Sequence, residues 1–414
     1  MRFPRVLFLI LFMPKLALGQ LSAKSIATQQ GIAIKTLLTP IGAKRVVGLG
    51  EGTHGTKEFN DIRVAIIQEL FLQKGFNIIC LESAYGGGYW LNQIINSNED
   101  IKQAMKQHLT SIWQTQEIEA LLLWMRQYNQ THNKPITLMG MDWNYIGGSG
   151  KIVKEFCEKI GTLKTYANQL EQCTLRQDTA WEKQNDTTAV LNMADIILNA
   201  SEGYTLTVKI DSIMNTKHEY PLALKNALLN CKHGFYVLYQ AGKKQEALSR
   251  DAMMADMVLA VLNQQPNAKM AIMAHNGHVA YKASEYLQGD ANPGGMGYFL
   301  RKKIGKSYYA IGTTTVKGTY SATTDFVDTH TNQFRPYRLN NPISTSWEAY
   351  FAQQKSSIFW IDAGAGLLKN KKKSFRFIGY RPENQDSYTE EASFDTYFDA
   401  MLFLRETTAA RHLF

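Results

Sequence analysis

The apolar positions in the first third of the chain fall into short continuous runs separated by longer stretches at helical spacing. Residues 45–49, 77–81 and 135–141 form short apolar runs, which predict buried strands. Residues 57–74 carry apolar side chains at 59, 62, 66, 67, 70 and 71, and Gly75 follows, so a helix is predicted to end there. Residues 117–128 have a similar helical pattern. Strands that alternate with helices predict a mostly parallel sheet flanked by helices.

The pattern changes between about 150 and 262, where polar and apolar residues alternate at helical spacing without a clear strand. This stretch is predicted to be a helical insertion or lid. Strand patterns return at 269–274, 308–315, 357–362, 375–380 and 400–404. The sequence therefore predicts one α/β domain over residues 20–414, interrupted by the helical insertion.

The first residues have the pattern of a secretory signal peptide. Arg2 and Arg5 precede an apolar run over 6–13, and small residues at 17 and 19 predict cleavage before Gln20. Residues 1–19 are thus expected to be removed, and the mature protein to be exported to the periplasm or secreted. A retained N-terminal anchor is the alternative. No later stretch reaches the roughly 18 apolar residues of a membrane span, so no membrane insertion is expected after cleavage.

Composition narrows the class of protein further. The chain has 414 residues, 45% hydrophobic and 20% charged, as in ordinary globular proteins. Its net charge of +9 comes from scattered residues. Without a basic stripe or recognition module, no nucleic-acid partner is expected. The cysteines lack zinc spacing, although Cys157 and Cys173 could pair in an oxidising compartment. Neither that pairing nor the oligomeric state is determined by the sequence.

Polar residues stand where four predicted strands end. Glu51-Gly-Thr-His54 follows the first strand, Glu82 ends the second, Asp142 ends the third, and His275 and His278 follow the strand at 269–274. Ligands of parallel α/β sheets bind outside the carboxyl ends of the strands. These side chains are therefore predicted to meet in one crevice.

A histidine beside carboxylates is suited to removing a proton from water near neutral pH, and a second histidine or an arginine can stabilise an oxyanion. The residues therefore predict hydrolysis by activated water. A serine nucleophile is disfavoured, because the chain has no Gly-x-Ser-x-Gly sequence. Two alternatives stay open: a metal-dependent hydrolase of another ester or amide, since three histidines with carboxylates suit zinc or manganese, and a non-catalytic binding or biosynthesis-accessory protein.

These same residues resemble the erythromycin esterase family, which hydrolyses macrolide lactones and includes many members of unassigned substrate. The resemblance runs from about residue 40 to 405. Its motifs are residues 49–59 with Arg63, Leu81-Glu-Ser83, Gly140-Met-Asp142, Ser249-Arg-Asp-x-x-Met254, residues 273–279, residues 295–300 and residues 309–312. Lys57, Gly52 and Gly277 depart from the residues usual in the family, and the helical region is the least matched part.

The resemblance implies a role for each residue. His54 would be the general base, Glu51 and Glu82 would orient it or the water, and either His275 or His278 would polarise the carbonyl. Arg63, Arg250 and Asp142 are assigned to substrate or oxyanion binding. It also implies an α/β core with a helical lid, a small-molecule substrate that is a macrolide or another ester, antibiotic resistance as the outcome, and no cofactor, with a divalent metal left as the alternative.

Overall fold

The computed structural model describes residues 20–21, 32–183, 190–217, 219–282, 293–325 and 333–414; the predicted signal peptide over 1–19 lies outside them. The strands are β1 (Gln20–Leu21), β2 (Val46–Glu51), β3 (Ile78–Ala84), β4 (Thr137–Asp142), β5 (Met270–His275), β6 (Tyr308–Ala322), β7 (Arg335–Arg338), β8 (Ile358–Asp362), β9 (Lys372–Lys373), β10 (Ala392–Ser393) and β11 (Ala400–Thr407). The helices are α1 (Ile32–Ile41), α2 (Lys57–Lys74), α3 (Tyr85–Ile95), α4 (Ile101–His108), α5 (Gln116–Thr131), α6 (Gly147–Cys157), α7 (Gly161–Lys183), α8 (Met193–Met214), α9 (Leu222–Gly242), α10 (Arg250–Gln264), α11 (Asn276–Val279), α12 (Met296–Ile304) and α13 (Trp347–Phe351).

The central sheet is mostly parallel, as predicted. Its strand order is β1-β8-β11-β6-β2-β5-β3-β4, and β7 pairs with the far end of β6. From β11 to β4 every neighbouring pair is parallel, whereas β8 and β1 extend the edge in antiparallel orientation. The order places β2, β5, β3 and β4 side by side, so their carboxyl ends share one edge of the sheet.

Both faces of the sheet are buried, which explains why its strands are continuous apolar runs rather than alternating ones. Successive side chains of a strand point to opposite faces. One face of the central strands packs under α6 to α10 through Val46, Ile78, Cys80, Met270 and Ile272. The other face packs under α2 and α5 through Val47, Leu49, Ile79, Leu81, Ala271 and Met273.

Residues 147–264 fold as α6 to α10, and the described part of this stretch contains no strand. These helices lie between β4 and β5 in the chain, where the sequence predicts a helical insertion. Helix α10 ends this stretch and begins at Arg250, with the Ser249 side chain accepting a hydrogen bond from the Ala252 amide at 3.1 Å. This cap fixes the start of α10, and with it the position of Arg250 and Asp251.

The strand predicted over residues 375–380 is wrong. The segment is extended but makes only isolated bridges, including one between Thr53 and Ile378. The Ile378 amide donates to the Gly52 carbonyl at 2.8 Å, and the Ile378 carbonyl accepts from the His54 amide at 3.3 Å. These hydrogen bonds tie the segment across the turn after β2 instead of into a ladder. Its apolar residues, Phe375 and Phe377, are buried by this crossing and not by a sheet.

All four cysteines are buried and free, so Cys157 and Cys173 are not paired. Within the described ranges, no helix is both long and apolar enough to cross a membrane.

Candidate active site

Strands β2, β5, β3 and β4 bring Glu51, His275, Glu82 and Asp142 to one edge of the sheet. Glu51 lies directly opposite His275 in the β2–β5 register. Gly50 allows this arrangement, because a Cβ atom there would lie 2.3 Å from Asn276 Oδ1 and 2.6 Å from Val279 Cγ2. Helix α11, which carries His278, can therefore lie against β2. The predicted convergence of the strand ends is found in the structure.

The turn after β2 holds His54 against Glu51. Gly55 has a φ of +74°, a conformation that favours glycine, and lets the chain turn back immediately after His54. His54 Nδ1 lies 2.7 Å from Glu51 Oε1. In the neutral tautomer that donates through Nδ1 to this carboxylate, Nε2 is the nitrogen left to accept a proton. Within the described residues Nε2 has no hydrogen-bond partner, and His54 lines a cleft.

Arg63 lies behind this pair and not in the cleft. Its Nη2 donates to Glu51 Oε2 at 2.6 Å and also to the Asn60 side chain, and its side chain is 0% exposed. Burial lowers the pKa of Arg63, against the opposing effect of Glu51 and Glu82. The expected role in substrate or oxyanion binding therefore does not fit its position. Arg63 contacts Glu51 and acts on the site through that carboxylate.

Glu82 is the centre of the charged cluster. Its Oε1 accepts from Arg250 Nη2 and from His278 Nε2, both at 3.1 Å, and its Oε2 accepts from the His275 amide at 2.8 Å. Burial alone would raise the pKa of Glu82, but the charges of His278 and Arg250 outweigh it and hold that pKa well below the usual range. Glu82 is therefore an anion that joins the two cations.

His278 is held between two carboxylates. Its Nδ1 lies 2.7 Å from Asp251 Oδ1, opposite the contact of Nε2 with Glu82. Burial lowers the pKa of His278, but Glu82 and Asp251 more than offset this and raise it to about 10. His278 is thus an imidazolium that donates through both nitrogens. Its 3.2 Å contact with Arg250 Nη1 joins two donors and is not a hydrogen bond.

Asp251 is a site residue that the sequence did not reveal. It is 2% exposed and also accepts from the Met296 amide at 2.7 Å. The feature of the sequence that could have indicated Asp251 is its position directly after Arg250. An acidic residue in the first turn of a helix is, however, common for electrostatic reasons alone.

His275 is neutral and fixed by the backbone. Its Nδ1 accepts from the Gly277 amide at 3.2 Å, and its Nε2 donates to the Ile378 carbonyl at 3.1 Å. Burial, followed by the nearby His54 and His278, lowers the pKa of His275 to about 3. Both ring nitrogens are committed, so His275 shapes the cleft floor and is not available to transfer a proton.

Asp142 orients Arg250. Arg250 Nε lies 3.1 Å from both Asp142 oxygens, and Nη2 donates to the same carboxylate. The Trp143 amide donates to Asp142 Oδ1 at 2.9 Å, which holds the carboxylate in place. The Arg250 side chain remains 33% exposed and lines the cleft. Arg250 therefore presents positive charge to a ligand, while Asp142 serves to position it.

The cleft over this cluster has a volume of about 260 Å³. Its floor is formed by His54, Glu82, Asp142, Arg250, His275 and His278. The opposite wall includes Phe377 and Tyr380, from the segment wrongly predicted to be a strand, and Arg381 and Tyr388, which follow it in the chain. These wall residues were missed because their approach to the cleft depends on the crossing at Ile378.

The donor set does not fit a metal ion. Among the described residues, no three His, Cys, Asp or Glu side chains are placed to hold one. His275 and His278 use both ring nitrogens within the protein, and a guanidinium lies beside Glu82. The polar atoms are paired as cations and anions of the protein itself.

The sheet is mostly parallel and covered on both faces, and buried charged side chains lie at its strand ends. This is the place at which α/β enzymes bind their ligands. The chain belongs to the erythromycin esterase family, whose model matches residues 72–407. The matched residues include Glu82, Asp142, Arg250, His275 and His278, while Glu51 and His54 precede them.

Individual relatives agree with this assignment. The chain is 26% identical over 390 residues to erythromycin esterase type II from Escherichia coli, covering 88% of both chains. It is similar in fold to an erythromycin esterase mutant solved in its open conformation, with a TM-score of 0.71, 17% identity and coverage of 92% of this chain and 96% of that one. A succinoglycan biosynthesis protein has a TM-score of 0.74 at 19% identity, covering 91% and 92%. At these identities the two structures establish the fold alone.

Proposed function

We propose that this protein is a hydrolase that opens the lactone ester of erythromycin-like macrolides with a water molecule activated by His54, and so inactivates the antibiotic. The observation that carries the proposal is the Glu51–His54 pair. His54 Nδ1 is committed to Glu51 at 2.7 Å, which leaves Nε2 as the nitrogen that can take a proton in the cleft. Arg63 donates to the other oxygen of Glu51 and holds that carboxylate in place.

In the proposed reaction, water oxygen attacks the carbonyl carbon while His54 Nε2 takes one of its protons. The resulting tetrahedral intermediate carries a negative oxygen. When the ring C–O bond breaks, the same proton passes from His54 to the leaving alkoxide. The product is the open-chain hydroxy acid, which is the lactone plus one water. General-base help of this kind is typically worth about 10²–10⁴-fold in rate.

Arg250 is the group best suited to stabilise the negative oxygen. It is a cation held rigidly by Asp142 and Glu82, and a third of its side chain is exposed. Fixed positive charge at the developing oxyanion lowers the barrier without reorganisation during the reaction. His278 adds positive charge to the cluster, but its nitrogens are bonded to Glu82 and Asp251. The resemblance suggested His275 or His278 for this role; their hydrogen bonds favour Arg250 instead.

The choice of a macrolide lactone as substrate comes from the relatives, since the E. coli protein that matches over 88% of this chain is named an erythromycin esterase. The test is to incubate the purified protein with erythromycin and measure the gain of one water by mass spectrometry. His54→Ala should abolish that gain, whereas His132→Ala, at an exposed histidine at the end of α5, should leave it unchanged.

Two results would contradict the proposal. No hydrolysis of any macrolide by the wild-type protein would refute the substrate, and full activity of His54→Ala would refute the base. A chelator added to the same assay should have no effect on turnover. Loss of turnover that zinc or manganese restores would favour the metal-dependent alternative.

We also propose that residues 1–19 direct export and are removed. The support is the sequence pattern of Arg2, Arg5 and the apolar run that follows. Expression of the full chain in a bacterium, followed by fractionation and N-terminal sequencing, should give a periplasmic or secreted protein that begins at Gln20. A cytoplasmic protein retaining Met1 would contradict this.

A further inference from the structure

A second cavity, of about 310 Å³, adjoins the catalytic cleft. Thr110 lines both. Successive side chains of β3 point to opposite sides, so Glu82 lines the cleft while Ser83 lines the second cavity. We call this space, lined among others by Ser83, Trp90, Gln107, Thr110, Asp178 and Thr179, the side cavity. A molecule bound in the cleft could extend into it past Thr110.

Two hydroxyl groups in the side cavity have no partner within the described residues. Ser83 is 2% exposed, and its Oγ is buried without a hydrogen bond. Thr110 Oγ1 is likewise buried and without a bond. Buried hydroxyls are nearly always hydrogen-bonded in folded proteins, so these two can be satisfied by a bound molecule that both donates and accepts.

The remaining walls favour an uncharged ligand with both polar and apolar surface. Trp90 supplies an apolar wall and is fixed by its Nε1, which donates to the Gly148 carbonyl at 3.1 Å. Asp178 accepts from the Ile146 and Gly147 amides at 2.8 and 2.7 Å, so its oxygens are already in use. Burial raises the pKa of Asp178 to about 7, so the group in the lining that disfavours an anion is Glu182.

The volume of the catalytic cleft also indicates that a ligand extends into the side cavity. At about 260 Å³ it is smaller than the roughly 300–1,000 Å³ typical of sites that enclose drug-sized ligands. A substrate of that size must project beyond the cleft. The side cavity is of comparable volume and offers hydrogen-bonding groups with which to hold the projecting part.

We propose that the side cavity binds a hydroxyl-bearing ring, such as a glycosyl substituent, of the ester whose carbonyl occupies the cleft. Ser83 and Thr110 then determine specificity for that ring and do not touch the reacting atoms. This inference rests on the proposed esterase function and adds to it the part of the substrate that is recognised.

The test compares erythromycin with the same lactone ring lacking its sugars. With Ser83→Ala, the KM for erythromycin should rise about 3–10-fold at constant kcat, the effect of one lost hydrogen bond that is equal in ground and transition states. The constants for the sugar-free lactone should not change. Since Ser83 Oγ bonds nothing in the described protein, the variant should keep its thermal stability.

A blocking variant provides an independent measurement. Thr179 is an exposed residue of α7 at the side cavity, with its Oγ1 bonded to the Leu175 carbonyl. Thr179→Phe should raise the KM for erythromycin more than tenfold. The matched control is Thr205→Phe, at an exposed threonine of α8 with the same type of bond to Ser201, away from either cavity; it should have no effect.

The outcomes separate this inference from the proposed function. If the wild-type protein hydrolyses both lactones with equal KM, or if Ser83→Ala and Thr179→Phe affect both equally, the glycosyl site is refuted and the esterase stands. If neither lactone is hydrolysed, both proposals fail.

Discussion

Replacing Glu51 with glutamine should have two separable consequences, because this carboxylate binds His54 on one side and Arg63 on the other. The His54 contact is 2.7 Å and the Arg63 contact is 2.6 Å. Glutamine has nearly the same shape, so the change removes a charge more than it alters packing. One consequence concerns the rate of reaction and the other concerns stability.

The effect on stability follows from the burial of Arg63. Its side chain is 0% exposed, and its Nε already lacks a partner among the described residues. Removing one partner of a buried ion pair typically costs about 3–5 kcal/mol, because the remaining charge is left uncompensated. Glu51→Gln should lower the free energy of unfolding by about that amount. Adding Arg63→Met removes the stranded charge, so the double variant should recover most of the loss.

The effect on rate follows from His54. A glutamine amide can turn its NH₂ group toward His54 Nδ1 and favour the wrong tautomer, and it stabilises the imidazolium less well than a carboxylate. We expect kcat to fall about 10²–10⁴-fold. The double variant should not recover this loss, since Arg63→Met does not restore the negative charge beside His54.

The assay measures urea unfolding and macrolide turnover for the wild type, both single variants and the double variant. Recovery of stability without recovery of kcat supports two distinct roles for Glu51. If the double variant recovers kcat as well, Glu51 acts only by neutralising Arg63, and the orientation of His54 by this carboxylate is refuted. NMR detection of the His54 tautomer would test the same point without substrate.

Three further predictions follow from the buried groups and the close packing of the site. Asp251→Asn should lower the pKa of His278 from about 10, so that loss of activity at alkaline pH begins at a lower pH than in the wild type. An unchanged pH profile would contradict the positive charge assigned to His278. Because the pKa of His275 falls from 6.5 to about 3 on folding, its contribution to stability is present above pH 6.5 and is lost as the pH falls towards 3. Between pH 7 and pH 4, the free energy of unfolding measured with urea should therefore fall by several kcal/mol more for the wild type than for His275→Asn. An equal fall in the two proteins would refute this. Gly50→Ala places a Cβ atom 2.3 Å from a neighbouring side-chain oxygen and should lower the free energy of unfolding by about 1–3 kcal/mol or more. The control Gly161→Ala, whose Cβ atom would have no neighbour within 4 Å, should not destabilise the protein. Calorimetry would compare the two variants.

The local pattern of the chain determined the central strands, several helices and the edge of the sheet at which the chemistry lies. Buried parallel strands are continuous apolar runs, and the polar residue that follows each run marks its carboxyl end. Glu51, His54, Glu82, Asp142, His275 and His278 were predictable for this reason. The family motifs then added Arg63 and Arg250.

Only the tertiary structure decided how these groups are paired. Three of these pairings are contacts between separate elements: Arg63 lies behind Glu51, Asp251 binds His278, and His275 donates to the Ile378 carbonyl. Such contacts are set by the register of β2 on β5 and by the docking of α10 and α11, which no local periodicity encodes. The segment 375–380 is the clearest case: its residues favour a strand, but its backbone hydrogen bonds go to the turn around His54, and it becomes the wall of the cleft. Periodicity fixes which side of an element is buried, whereas the charge state of a buried group depends on the neighbours that the fold brings to it.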